Sequence, residues 1–166
     1  MDINWLVVLG TALIPMITGF IWYNPKVMGA VWMEASGMTE EKIQSGNMLI
    51  IFGVSFILAF LLAVEMNFVV VHQNHFNSIL MNEPGMFEAG SEIQLYIEDF
   101  MSKYGRNFRT FKHGVLHGVV AGLLFAVPVL ATNALFERRS FKYIAVNCAY
   151  WIITIGLMGG VIRAWA

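Results

Sequence analysis

The sequence contains four histidines, and their spacing is its first sign of chemistry. His72 and His75 stand three residues apart, and His113 and His117 stand four apart. On a helix either spacing puts both rings on one face. Neutral imidazole is a ligand for zinc, iron, copper and nickel, and histidine pairs on two helices also suit haem. The four rings are therefore candidate ligands for a transition metal or haem. Glu92, Glu98 or Asp99 would complete a shell if the loop between the pairs folds over them. The plainer alternative is a set of interfacial histidines bonded to lipid headgroups or to each other.

Glu65 and Arg163 form a second candidate, because each interrupts an otherwise apolar stretch. A charge at the centre of a bilayer costs on the order of 3 kcal/mol on insertion scales, so a partner or a proton is expected for Glu65. Arg163 is the natural partner. Such a buried polar pair is either a structural ion pair or part of a proton path, and a path would make the chain a proton-coupled small transporter. Cys148 is the single cysteine, which excludes an intramolecular disulfide and any cysteine-built zinc or iron–sulfur site. No serine, cysteine or histidine falls in a nucleophile motif, and no glycine-rich phosphate loop is present. No enzymatic activity is expected.

The elements that must hold these residues follow from composition. Of 166 residues, 58% are hydrophobic and only 13% charged, and the mean hydropathy is +0.66. Soluble domains carry about a quarter charged residues, so this chain could not cover a water-exposed surface. The net charge of −1 supplies no basic field for nucleic acid. The chain reads as a single integral membrane domain, 1–166, whose first partner is the lipid bilayer. Four stretches are long enough to cross it, at about 4–23, 47–72, 113–135 and 141–165. The first opens with Met1-Asp2, without a positive region or a small-residue cleavage site, and is expected to be retained. Trp5, Trp22, Tyr23, Tyr143, Trp151 and Trp165 fall mostly near span ends, where aromatic rings with one polar edge prefer to sit.

The expected fold is an all-α, four-transmembrane-helix bundle with an amphipathic interfacial helix in each of the two longer loops. In the first loop Pro25 opens a helix over 25–36, Gly37 closes it, and Thr39 caps a further turn. In the second, Ser91 caps a helix over 91–104 whose apolar stripe is Ile93, Ile97, Phe100, Met101 and Tyr104. Such a stripe either covers the bundle or serves as a lid. An even number of spans puts both termini and the loop 73–112 on one side, and the loops 24–46 and 136–141 on the other. The very short basic segment Glu137–Lys142 favours a cytoplasmic position for the latter pair.

Gly114, Gly118 and Gly122 repeat every fourth residue in the third span, and Gly156 and Gly160 lie in the fourth. Without side chains there, two helix backbones approach closely, either within the chain or between two copies. Pro15 and Pro128 should bend their helices.

Gly19-Phe20-Ile21-Trp22-Tyr23-Asn24-Pro25, followed by Met28-Gly29 and Trp32-Met33, resembles the signature of a bacterial membrane family, domain of unknown function 1761. Phe136-Glu137-Arg138-Arg139 and Asn147-Cys148-Ala149-Tyr150-Trp151 through Met158-Gly159 resemble its carboxy-terminal signature. The resemblance implies four spans and a bacterial inner (cytoplasmic) membrane, and supplies no activity. Residues 73–112 look like a longer central loop peculiar to one branch. The function expected is that of a non-enzymatic membrane subunit that assembles with itself or within a larger membrane complex. The alternatives are a histidine-ligated metal or haem protein, and the proton-coupled transporter built on Glu65.

Four spans place both ends of the chain in one compartment. With Cys148 replaced, Asn4→Cys and Ala166→Cys variants should both label with an impermeant thiol reagent from the same face of the membrane. Labelling from opposite faces would contradict the four-span topology.

Overall fold

In the computed structural model, which describes residues 3–166, every regular element is helical. The first span is two helices, α1 (Trp5–Thr11) and α2 (Ile14–Trp22), separated just ahead of Pro15. The proline removes the backbone donor that would meet the Thr11 carbonyl, and side chains brace the first turn of α2 beyond it. Thr18 Oγ1 donates to the Ile14 carbonyl at 2.8 Å, and the Tyr150 hydroxyl donates to the Pro15 carbonyl at 2.7 Å. A wide π turn over Pro25–Gly29 leads into α3 (Ala30–Ser36), which Gly37 closes with a left-handed φ of 69°. The short helix α4 (Glu40–Gln44) starts at Thr39, whose hydroxyl accepts from Lys42 N–H.

The second span is α5 (Met48–Val70), which ends two residues before the apolar run suggests, because the chain breaks at Val71 (φ −95°, ψ 88°). Beyond the break come α6 (Gln73–Ile79) and α7 (Glu92–Tyr104), the latter capped by Ser91 as expected. Phe100 of α7 stacks on Phe76 of α6 at 4.3 Å, so the apolar stripe covers the neighbouring helix rather than standing free as a lid. The third span comprises α8 (Phe111–Ala121), a π turn over Gly122–Ala126, and α9 (Val127–Phe136). Pro128 follows that wide turn, the usual response when a proline ring excludes the carbonyl four residues before it. The fourth span is the unbroken α10 (Phe141–Trp165).

Four helical stretches, Trp5–Trp22, Met48–Val70, Phe111–Phe136 and Phe141–Trp165, are long and apolar enough to cross a membrane. Half of the α10 window is buried, against 11% for the second and third spans, so α10 is the central helix and the others present most of their apolar surface outward. Its residues Ile155, Met158 and Ile162 join Val8, Ala63, Met66 and Val70 in the core. Asn4 Nδ2 donates to the Trp165 carbonyl at 3.3 Å, which puts the first and last spans' outer ends together. At the opposite end Lys142 bonds Glu34 at 2.6 Å, and Arg139 donates to the Ser36 carbonyl, joining the two loops there.

Glycine sets the distance between the third and fourth spans. A Cβ at Gly114 would run into the Gly159 carbonyl, and one at Gly118 into the Ile155 carbonyl. A Cβ at Gly159 would meet the Gly114 carbonyl oxygen at 2.6 Å, while Gly160 lies under Phe111 and Val115. Gly156 is looser, with Val119 at 3.0 Å, and Gly122 lies against Ile152. The ridge expected at 114, 118 and 122 is thus filled by α10 of the same chain and is not offered to a second copy.

Arg163 fastens the central loop to α10. It has no exposed surface. Its Nε donates to the Phe108 carbonyl at 2.8 Å, one terminal nitrogen to Gln73 Oε1 at 2.9 Å, and the other to the Asn107 carbonyl at 3.3 Å. The expected pairing with Glu65 is not formed. Only the stripe Ala59, Ala63, Met66, Asn67 and Val70 of α5 turns inward, and Glu65, one residue before Met66, is rotated onto the exposed face.

Two outcomes follow. Gly118→Leu should disrupt folding or lower thermal stability by roughly 1–3 kcal/mol or more, since the new side chain meets backbone that cannot yield; a parent-like melting curve would show the contact to be looser. Arg163→Leu should release the loop, at a cost of roughly 2–4 kcal/mol for three lost charge-assisted bonds. Faster tryptic cleavage after Arg106 and Arg109 would report that release, and an unchanged digestion pattern would contradict it.

Candidate functional site

Three of the four histidines meet at one end of the spans. The rings of His72, His113 and His117 each offer one nitrogen, and these atoms all lie within 4.8 Å of one another. His113 Nε2 and His117 Nε2 are 3.0 Å apart, so one ring holds out a lone pair to the other's proton. His72 stands edge-on to both, with ring centroids 4.5 Å from His117 and 5.3 Å from His113.

Each ring has a local reason to be there. Thr110 caps α8 by accepting from the His113 N–H, which starts the helix so that His113 and His117 share a face one turn apart. That face is held close to α10 by Gly114 and Gly118. His72 lies in the break between α5 and α6, and the next residue, Gln73, accepts from Arg163. Phe108, whose carbonyl also receives Arg163, lays its ring over His113 at 5.0 Å. Its φ of 59° is a left-handed conformation that a bulky residue adopts only when its surroundings hold it there. Arg163 thus touches none of the three rings through a hydrogen bond, yet holds a neighbour of two of them.

His75 is excluded. It belongs to α6, beyond the break, and is exposed on the outside of that short helix. The three-residue spacing would align His72 and His75 only on one continuous helix, and α5 ends at Val70. The acids expected to complete the shell do not reach it either: Glu92, Glu98 and Asp99 are exposed on α7, and Asp99 bonds Lys103 at 2.7 Å.

Burial first, then the positive charge of Arg163 and the adjoining imidazoles, push His72 down to about 4. At neutral pH it is an uncharged ring with an available lone pair. A tetrahedral zinc ion about 2.1 Å from each ligand nitrogen sets those nitrogens roughly 3.4 Å apart, and the trio's nitrogens lie within 4.8 Å of one another, with one pair at 3.0 Å. Haem does not fit. The three rings touch edge to face and leave no slot between them for a porphyrin.

The spacing of His113 and His117 announced their half of the centre. Gln73, Asn107 and Phe108 carried no such signal, because two of them act through backbone carbonyls. Gly159, as close to α8 as any of the expected glycines, was hidden beside Gly160 in the same run.

At the other end of the spans lies a second constellation. Tyr23 donates its hydroxyl to Asn147 Oδ1 at 2.9 Å, Trp22 Nε1 donates to the Val146 carbonyl at 3.2 Å, and Gly19 lies against the Tyr150 ring. These contacts close the top of an apolar cavity of about 670 Å³ between α2, α5 and α10, lined in part by Trp32, Phe52 and Ala59. They join the two stretches whose motifs resemble a known family.

Comparison with curated proteins and with solved structures gave no match for this chain. A family model does match, that of a protein of unknown function (DUF1761), over residues 5–163, from the first helix to the last. The match takes in both clasped stretches and the central loop that carries His72 and His113. The chain is therefore a member of the DUF1761 family, a multi-pass membrane protein of unknown activity.

Proposed function

We propose that this protein resides in the inner membrane of a bacterium and holds one transition-metal ion at the membrane surface, through His72, His113 and His117, without acting as an enzyme. The single observation that supports this is the convergence of three ligand nitrogens within 4.8 Å, from segments forty residues apart in sequence. Three imidazoles bind soft and borderline ions such as zinc and copper, and leave a fourth position open. All three ligands are neutral, and Arg163 adds a positive charge nearby. The balance of charge favours monovalent copper, or a divalent ion that carries hydroxide or another small anion in the fourth position. A holding role rather than a catalytic one fits the surroundings: Glu92, Glu98 and Asp99 face away, so none of them stands beside the open position as a general base.

Glu65 lies on the exposed face of α5 and lines neither the apolar cavity nor the polar one beside Gln73 and Arg109, so no observation supports a proton path through it.

Elemental analysis of untagged protein, purified and then offered zinc or copper, tests the proposal. About one equivalent should be retained by the parent and by His75→Ala, and a His113→Ala/His117→Ala variant should retain less than about a tenth of that. Equal loss on replacing His75, or no retention by the parent, would leave the trio as interfacial histidines.

A further inference from the structure

The apolar cavity of about 670 Å³ lies at the end of the spans away from the histidines, beneath the bond between Tyr23 and Asn147. No charged side chain lines it among the described residues. Phe20, Phe52 and Leu58 on its walls are exposed, and in a membrane such exposure faces lipid, so a ligand enters from the bilayer. We propose that this cavity binds a lipid-soluble quinone, whose ring oxygens accept from Ser55 and Trp151.

Three observations carry this. The first is a pair of donors without acceptors. Ser55 and Trp151 both line the cavity, and neither the Ser55 hydroxyl nor the Trp151 indole N–H makes a hydrogen bond among the described residues. Comparable groups elsewhere in the spans are satisfied. Thr11 donates to the Val7 carbonyl at 2.7 Å and Thr18 to the Ile14 carbonyl at 2.8 Å, each reaching back one turn, and the Trp22 indole donates to the Val146 carbonyl. Neither free donor is sealed in protein. Ser55 is exposed, and the side-chain polar atoms that the rest of the chain encloses all have partners. A ligand oxygen can therefore reach both.

The second observation is depth. Ser55 stands seven residues into α5 from Met48, and Trp151 ten residues into α10 from Phe141. At 1.5 Å per residue these are about 10 and 15 Å below the same membrane surface. Hydrocarbon at that depth holds neither water nor lipid ester groups to accept the two donors.

The third is the kind of molecule that answers them. Trp32, Phe52, Tyr150 and Trp151 present aromatic rings to the cavity, and the faces of such rings attract an electron-poor planar ring. A quinone has that ring, two carbonyl acceptors, and neither a donor nor a charge of its own. An acyl chain would fill the space but leave both donors unanswered, and an acidic headgroup would meet no cation. Tyr23 and Tyr150 supply shape, since their hydroxyls already donate to Asn147 Oδ1 and the Pro15 carbonyl. The volume falls within the range of roughly 300–1,000 Å³ typical of small-molecule sites, enough for the ring and the start of its tail.

The test follows thermal unfolding of the full chain in a mild detergent against added decylubiquinone and decylbenzene, which share a tail and differ in the ring oxygens. Decylubiquinone should raise the melting temperature saturably, and decylbenzene should not. Ser55→Leu removes one donor and narrows the cavity from an exposed position, and should weaken the apparent affinity by about tenfold or more. Trp151→Phe keeps a ring without its N–H, and should weaken it by about three- to tenfold, the scale of one neutral hydrogen bond. His113→Ala/His117→Ala should leave the quinone effect unchanged, which separates this site from the metal centre. No shift with decylubiquinone, or an equal shift with decylbenzene, would overturn the proposal. So would parental affinity in Ser55→Leu, which decides the matter if Trp151→Phe does not fold.

Discussion

A guanidinium with no exposed surface must find acceptors for its donors, and a helix end in a membrane protein has few to spare. The carbonyls of α10 are committed to its own turns until the last residues. Arg163 is satisfied instead by the loop: the Asn107 and Phe108 carbonyls and the Gln73 side chain converge on it from two points more than thirty residues apart. All three acceptors are neutral. A neutral cage for a buried cation is less favourable than a carboxylate would be, and it persists only where the surrounding packing is already fixed. That requirement accounts for the left-handed Phe108, whose carbonyl could not otherwise be aimed at the helix, and for the break at Val71, which frees Gln73 to turn inward.

From this one fastening the remaining geometry follows in steps. Gln73 fixes the position of His72, its neighbour in sequence. Phe108 and Thr110 fix where α8 begins, and so where His113 and His117 point. Close approach of α8 to α10 is then needed for the two ends of the loop to reach the same guanidinium, and glycine at 114, 118 and 159 is what allows it. A bulky residue at any of these would move α8 outward, taking two of the three histidines and the Phe108 carbonyl with it. Packing in the middle of the bilayer and chemistry at its surface are in this sense one constraint.

The spans, their caps and the helix-packing glycines were legible in the sequence because each depends on local pattern: apolar length, a side chain before a first turn, a four-residue spacing. Ser91 and Thr39 cap as their positions predict. The site was only half legible. Helical spacing brought His113 and His117 together, since both lie in one uninterrupted helix. It misled at His72 and His75, since apolar composition continues through Val70 and Val71 while the helix does not. The partner of Arg163 was misassigned for a related reason: charge complementarity pointed to Glu65, whereas the face of α5 that turns inward is chosen by small residues, Ala59 and Ala63, that let the helices meet. Backbone carbonyls as ligands of a buried cation leave no trace in residue types at all.

The residues that clasp the first span to the fourth and the residues that carry the candidate chemistry occupy opposite ends of the molecule. Trp22, Tyr23, Asn147 and Tyr150 bond the first span to the fourth at the end where Lys142 meets Glu34. Their contacts are satisfied within the chain: a tyrosine hydroxyl on an amide oxygen, an indole N–H on a carbonyl, a tyrosine hydroxyl on the Pro15 carbonyl. Polar groups so fully engaged with one another hold helices in register and have little capacity left for a ligand. The histidine trio is the reverse case: His113 and His117 bond only each other, and the His72 ring makes no hydrogen bond among the described residues. A chain could keep the whole clasp and carry a different loop between its second and third spans. It would lose His72, and with it the candidate trio of imidazoles. The candidate chemistry is therefore to be sought in the loop and the helix ends it touches, rather than in the clasp.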